Sequence, residues 1–217
     1  VRDGGLIKGI GVRTTGIVQM VDKALAERMF QAKSALDGSE ALEQAYSQLE
    51  EITTDLDNSG LSQQQSLFNN SLHELSAQPG DRALREFVVM QGETLSSNMR
   101  RTRDAVLDRR ELWDGELANM TNKINHLAGR IADLNTQISG IEGGGLIQSD
   151  ATGLRDQRYR DLEELSGILN INVQEQSSGA VSVFIGGDYL INSGNYREVY
   201  TAYNEKIKGT EIRIIET

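Results

Sequence analysis

Apolar residues recur at helical spacing along most of the chain. Val21, Leu25, Met29, Ala32 and Leu36 form a first run, and Leu42, Ala45, Leu49, Ile52 and Leu56 continue it at alternating steps of three and four beyond Asp37-Gly38-Ser39. The pattern predicts one long helix with a candidate irregularity at Gly38. Asp57-Asn58-Ser59-Gly60 ends it, with Gly60 as a left-handed stop. Leu61, Gln65, Phe68, Leu72 and Leu75 predict a second amphipathic helix, terminated by Pro79, the only proline.

The most regular stripe follows. Trp113, Leu117, Met120, Ile124, Leu127, Ile131, Leu134, Ile138 and Ile141 alternate four and three without a miss, and steps of seven back from Trp113 reach Val106 and Met99. A continuous helix from about Arg82 to Ile141 would be roughly 90 Å long at 1.5 Å per residue. It needs an apolar partner, and the earlier helices supply candidates for an antiparallel bundle. Gly143-Gly144-Gly145 is expected to cap it. A further helix is expected over about Leu154 to Ile168, with Leu154, Leu162, Leu165 and Ile168 as its apolar residues.

The period then changes to two. Ile171 and Val173, a Ser177-Ser178-Gly179 turn, and Val181, Val183 and Ile185 predict a hairpin, from which Gly186-Gly187 turns into Tyr189-Leu190-Ile191. Val199, Thr201 and Tyr203, and later Ile212 and Ile214, suggest two more strands. At the other end, residues 1–17 are Gly-rich and β-branched and suggest loop and short strand. The fold class expected is mostly α with a smaller β-rich part: an elongated antiparallel helical bundle or rod over residues 1–168, then a small, truncated β-rich domain over 169–217.

Composition narrows the function classes. With hydrophobic residues at 38% and aromatics at 5%, a core would be built from aliphatics. The formal charge of −10 opposes a nucleic-acid footprint and an anionic membrane surface. No run approaches the roughly 18 apolar residues that span a bilayer. There is no cysteine, hence no disulfide or thiolate metal site. The chain starts at Val1 rather than Met and is expected to be a middle fragment.

Candidate chemistry is sparse. His73 and His126 lie on predicted helices without a second ligand nearby, and a surface or boundary role is expected for both. Asp55-Leu56-Asp57-Asn58-Ser59-Gly60 imitates the start of a calcium loop, but its twelfth place is Ser66 instead of a bidentate Glu. Gly9-Ile10-Gly11 lacks the third glycine of a dinucleotide fingerprint, since position 14 is Thr14. No catalytic, cofactor-binding or metal-binding residue is expected. Arg100, Arg101, Arg103, Arg109 and Arg110 are interleaved with Asp104, Asp108 and Glu111, a pattern of helix-surface ion pairs. Arg103 and Arg110 differ from the rest because they occupy the heptad place held later by Leu117, Ile124 and Ile131. They are the candidate subunit contacts.

Several ordered blocks resemble the flagellar hook-associated protein 1 family. They are Gly11-Val12-Arg13 with Ile17 through Leu25; Leu67-Phe68-Asn69-Asn70-Ser71-Leu72-His73-Glu74-Leu75 followed by Pro79, Asp81, Ala83, Arg85, Val88-Val89, Gly92 and Leu95; Ile124 through Asn135; Leu154-Arg155-Asp156-Gln157-Arg158 with Asp161-Leu162 and Glu164-Leu165-Ser166; and Val181 through Gly187. The resemblance covers about Gly11 to Ile191. It implies a structural, non-enzymatic subunit that leaves the cell through the flagellar type III export channel and self-assembles at the hook–filament junction. Implied partners are the hook protein, hook-associated protein 3, further copies of itself and an export chaperone, with no cofactor, nucleic acid or membrane. Relative to the family pattern, the terminal polymerisation segments and a returning helix of the rod domain are missing. Two other classes fit the periodicity alone: a coiled-coil adaptor or sensor module that binds a partner helix, and a flagellin or hook-associated protein 3 type of subunit.

Overall fold

The computed structural model describes residues 23–57, 60–142 and 151–215. The expectations for residues 1–17, the Gly143-Gly144-Gly145 cap and Asn58-Ser59 of the calcium-loop imitation lie outside the described residues.

Four helices precede six strands: α1 (Lys23–Asp57), α2 (Leu61–Ala77), α3 (Arg82–Glu142), α4 (Thr152–Ser166), then β1 (Ile171–Glu175), β2 (Val181–Ile185), β3 (Asp188–Asn192), β4 (Asn195–Tyr196), β5 (Val199–Asn204) and β6 (Gly209–Ile214). The chain is therefore mostly α with a smaller antiparallel β part, as the change of period indicated. α1 runs through Gly38 unbroken for 35 residues. A glycine in a helix costs about 1 kcal/mol relative to Ala, too little to break so long an element.

The compact units are assembled from non-consecutive segments. One takes α1 through Ser34, residues 124–198 and the chain from Ile214; the other takes residues 35–123 and 199–213. The change from helix to strand near residue 168 lies inside the first of these, because the end of α3, α4 and β1–β4 share one core.

In the unit containing residues 35–123, α2 and α3 form an antiparallel hairpin. Pro79 stops α2, and Asp81 opens α3 by accepting the Ala83 and Leu84 amides at 2.7 and 3.3 Å. The Arg85 guanidinium donates through Nε and Nη2 to the Pro79 carbonyl at 3.0 and 2.5 Å, tying the first turn of α3 to the connection. Further along, the Phe68 ring lies against the bare Cα of Gly92, where a Cβ would sit 3.2 Å from it. The Asn98 amide meets Gln64, so the contacts run in opposite directions on the two helices. Trp113 donates its indole N–H to Gln48 on α1 at 2.9 Å. β5 and β6 form a separate two-stranded sheet.

In the other unit, β1–β4 form a four-stranded antiparallel sheet in sequence order. Ile185 pairs with Asp188 around Gly186-Gly187, both at positive φ, which gives the two-residue hairpin read from the sequence. β4 was not foreseen: two residues are too short to show a period. The core contains the fully buried Ile124, Leu127, Ile131 and Ile138 of α3, Leu162 and Leu165 of α4, and Val183, Leu190 and Ile191 of the sheet. Small residues let the sheet approach α3, with the Tyr196 ring over Gly129 and Gly194 against Thr136.

Candidate functional site

The end of α3 carries a second stripe beside the heptad seam. Thr121, Ile124, Ala128, Ile131, Asn135 and Ile138 alternate three and four, and all are buried. One of them is a carboxamide, and the surrounding chain is arranged to satisfy it. Asn135 Nδ2 donates to the Val181 and Ser193 carbonyls at 2.8 and 2.7 Å, while its Oδ1 accepts from the Val181 amide at 3.0 Å and from Arg158 Nη1 at 2.8 Å. All four bonds of the side chain are made. Asn135 thereby fixes where β2 and the β3–β4 turn sit on α3.

α4 supplies the partner cations. Arg155 and Arg158 follow the same spacing as Leu162 and Leu165, so they face inward with them. Arg155 donates Nε and Nη2 to the two carboxylate oxygens of Glu142, each at 2.8 Å, and Nη1 to Glu175 at 2.6 Å. The Glu142 hydrogen bonds hold its guanidinium well above the ordinary arginine value, against the effect of burial. Arg158 is 2% exposed, and its Nη1 also reaches the Gly179 carbonyl at 2.8 Å. Burial first, and the charge of Arg155 second, pull its pKa down to about 10, so it stays protonated at neutral pH.

Gly179 completes the arrangement. Its φ of 81° belongs to the turn between β1 and β2, and a Cβ there would collide with the Glu142 carboxylate. Nearby, Asp161 accepts from Arg130 at 2.7 Å, while its Oδ2 meets no donor among the described residues. Burial raises its pKa more than the Arg130 charge lowers it. The network has the chemistry of a structural clamp. It contains no nucleophile paired with a base.

The sequence-derived candidates lie in the other unit. Arg103 is exposed and pairs with the adjacent exposed Asp104 at 3.2 Å. Arg110 is half-buried, its guanidinium 5.8 Å from the centroid of the Tyr203 ring on β5. The two lie in the same unit, seven residues apart on α3, and their contacts are separate. His73 and His126 are both exposed. Among the described residues no group of three or more His, Cys, Asp or Glu could hold a metal, and no helix is long and apolar enough to cross a membrane.

Sequence reasoning missed Asn135, Arg155, Arg158, Glu142 and Glu175 as a group. A polar residue at an apolar spacing was the available signal for the first three. Nothing in sequence brings Glu142 and Glu175 together.

A buried structural clamp that holds α4 and a small antiparallel sheet on the end of a long heptad helix defines this unit. Residues 46–216 match the family described as the flagellar hook-associated protein FlgK helical domain, and the chain belongs to that family. It is 30% identical over 135 residues to flagellar hook-associated protein 1 of Bacillus subtilis, covering 62% of this chain and 26% of the relative. It is 26% identical over 187 residues to the protein of the same name from Escherichia coli, covering 86% and 34%. The fold is similar to that of the flagellar hook junction protein FlgK from Burkholderia pseudomallei, with a TM-score of 0.68 at 20% identity over 88% of this chain and 33% of that one. The chain thus spans between a quarter and a third of the length of these relatives.

Proposed function

We propose that the chain is the helical-domain part of a structural flagellar subunit that joins hook to filament by self-assembly, without an active site of its own. The observation that carries this reading is the family match through the helical domain. Support comes from the apolar surface that the helices leave open. Leu25, Met29 and Leu36, at steps of four and seven along one face of α1, are each more than half exposed, and Met99, Val106 and Met120 of the α3 heptad are also exposed. Such stripes suit helical partners.

On this reading the parent protein is exported to the extracellular flagellum. It contacts the hook protein, hook-associated protein 3 and its own copies, and an export chaperone holds it beforehand. Arg103 and Arg110 are proposed subunit contacts, and Arg103, paired among the described residues only with its exposed neighbour Asp104, is the freer of the two for another molecule.

The test is made in the flagellated source cell with the parent gene. Deletion is expected to leave hooks without filaments, and the parent protein is expected at the hook tip. A product retained in the cytoplasm of flagellated cells, or a deletion strain with normal filaments, overturns the proposal. In the parent protein, Arg103→Glu is expected to reduce filament attachment while leaving the melting temperature unchanged. Unchanged attachment removes Arg103 from the contact.

A further inference from the structure

In the unit that contains residues 35–123, α1 has two unlike sides. Gln48 accepts the Trp113 indole N–H, and Ile52 lines a groove with Arg101, Ala105 and Arg109, so this side of α1 meets the chain's own long helix. At about 100° per residue, Leu36, Glu40 and Glu43 point the opposite way. All three are exposed, and neither Glu40 nor Glu43 is paired among the described residues. α3 is divided in the same manner. Arg103 lies about 200° around the helix from Arg101, away from that groove, with exposed Arg100 and Leu107 beside it. Its bond to Asp104 joins two exposed side chains, a pairing that contributes little and exchanges readily. The two outward faces do not meet within one chain.

They match each other in charge and in spacing. From Ala35 to Ile52, α1 carries Asp37, Glu40, Glu43, Glu50 and Glu51 and no Lys or Arg. From Met99 to Arg110, α3 carries five arginines against Asp104 and Asp108, a net +3 in a chain whose formal charge is −10. Two α1 faces would repel each other, and so would two α3 faces, whereas unlike faces attract. Leu36, Glu40 and Glu43 are spaced four and three; Arg100, Arg103 and Leu107 are spaced three and four. Laid antiparallel, the two sets coincide: Leu36 on Leu107, Glu40 on Arg103 and Glu43 on Arg100.

We propose that the outward face of α1 docks antiparallel on the Arg100–Arg103–Leu107 face of α3 in a second copy of the chain, with one apolar and two ionic pairs. The inference rests on the reading of Arg103 as a subunit contact and names what it contacts. Because the faces are unlike, one copy can engage a neighbour on each side. Two helical turns bury far less than the roughly 800 Å² per partner of a stable complex, so isolated chains associate weakly.

The experiment traps the contact by disulfide formation. The chain has no cysteine, so Glu40→Cys and Arg103→Cys each carry a single thiol. The two variants, one with a mass tag, are mixed at about 1 mM each and oxidised, a concentration suited to weak association. The mixed dimer is expected to exceed either like dimer about tenfold, and 1 M salt, which shortens the screening length to about 3 Å, is expected to remove the excess. Like and mixed dimers in statistical proportion, or no mixed dimer, overturn the contact. In the parent protein, Glu40→Arg with Glu43→Arg is expected to reduce filament attachment, and adding Arg100→Glu with Arg103→Glu to restore it. All four positions are exposed, so the melting temperature is expected to stay constant. Attachment that is not restored overturns the pairing. A mixed dimer from a chain whose parent stays in the cytoplasm supports the contact and overturns only the flagellar role.

Discussion

The two stretches of α3 on either side of Lys123 share one heptad register and have opposite fates. From Ile124 to Ile138 every seam residue is buried, and a second stripe beside the seam is buried too. From Met99 to Met120 the same register yields Met99 at 48%, Val106 at 44% and Met120 at 43% exposed. An apolar residue at a seam position thus states only that a helix face is fit for burial. What buries it is the presence of something to pack on: α4 and the sheet do so after Ile124.

The largest effect expected from breaking this contrast is at its polar centre. Asn135→Ala would strand the Val181 and Ser193 carbonyls, the Val181 amide and one Arg158 donor, each worth about 1–3 kcal/mol when buried and unsatisfied, so a loss of about 4 kcal/mol or more is expected in urea unfolding. Next comes the seam itself. Ile131→Ala should be destabilising by about 3 kcal/mol. Val106→Ala, in the same register, should change stability by less than about 0.5 kcal/mol. Equal effects at the two positions would show that both stretches are buried alike in solution.

A smaller loss, about 2 kcal/mol, is expected for Gly179→Ala, from a side chain placed at φ 81° and the displacement of Glu142 from Arg155. Its thermal midpoint should fall accordingly.

The smallest effect is a pH dependence. Because burial raises the Asp161 pKa above its ordinary value, the folded state binds this proton more tightly than the unfolded chain. The stabilising contribution is full below the unfolded value and is lost as pH rises through the folded one. Asp161→Asn should therefore gain stability relative to the parent as the pH is raised from below the ordinary carboxyl range towards neutrality, measured as the difference in urea midpoints. A variant that instead loses ground with rising pH would show that Arg130 outweighs burial.

The sequence on its own determined the element types. Heptad spacing, the Pro79 break and the Gly186-Gly187 turn are local: they act through the backbone preferences of a few neighbouring residues, so α1 to α4 and the β1–β3 hairpins are legible without a fold. The family blocks were legible for the same reason. Two of them contain Asn135, Arg155 and Arg158, although nothing local shows those residues as a network. Only the tertiary structure decided which apolar stripe is buried. On α1 the legible stripe of Leu25, Met29 and Leu36 stays exposed while Ala26 and Phe30, one residue further on, are the ones enclosed, with the Phe30 ring 5.8 Å from that of Tyr159. Burial and charge pairing depend on residues far apart in sequence: Arg155 meets Glu142 and Glu175 because α3, α4 and β1 converge. Hydrophobic period fixes the direction a side chain points, and long-range packing fixes what it meets there.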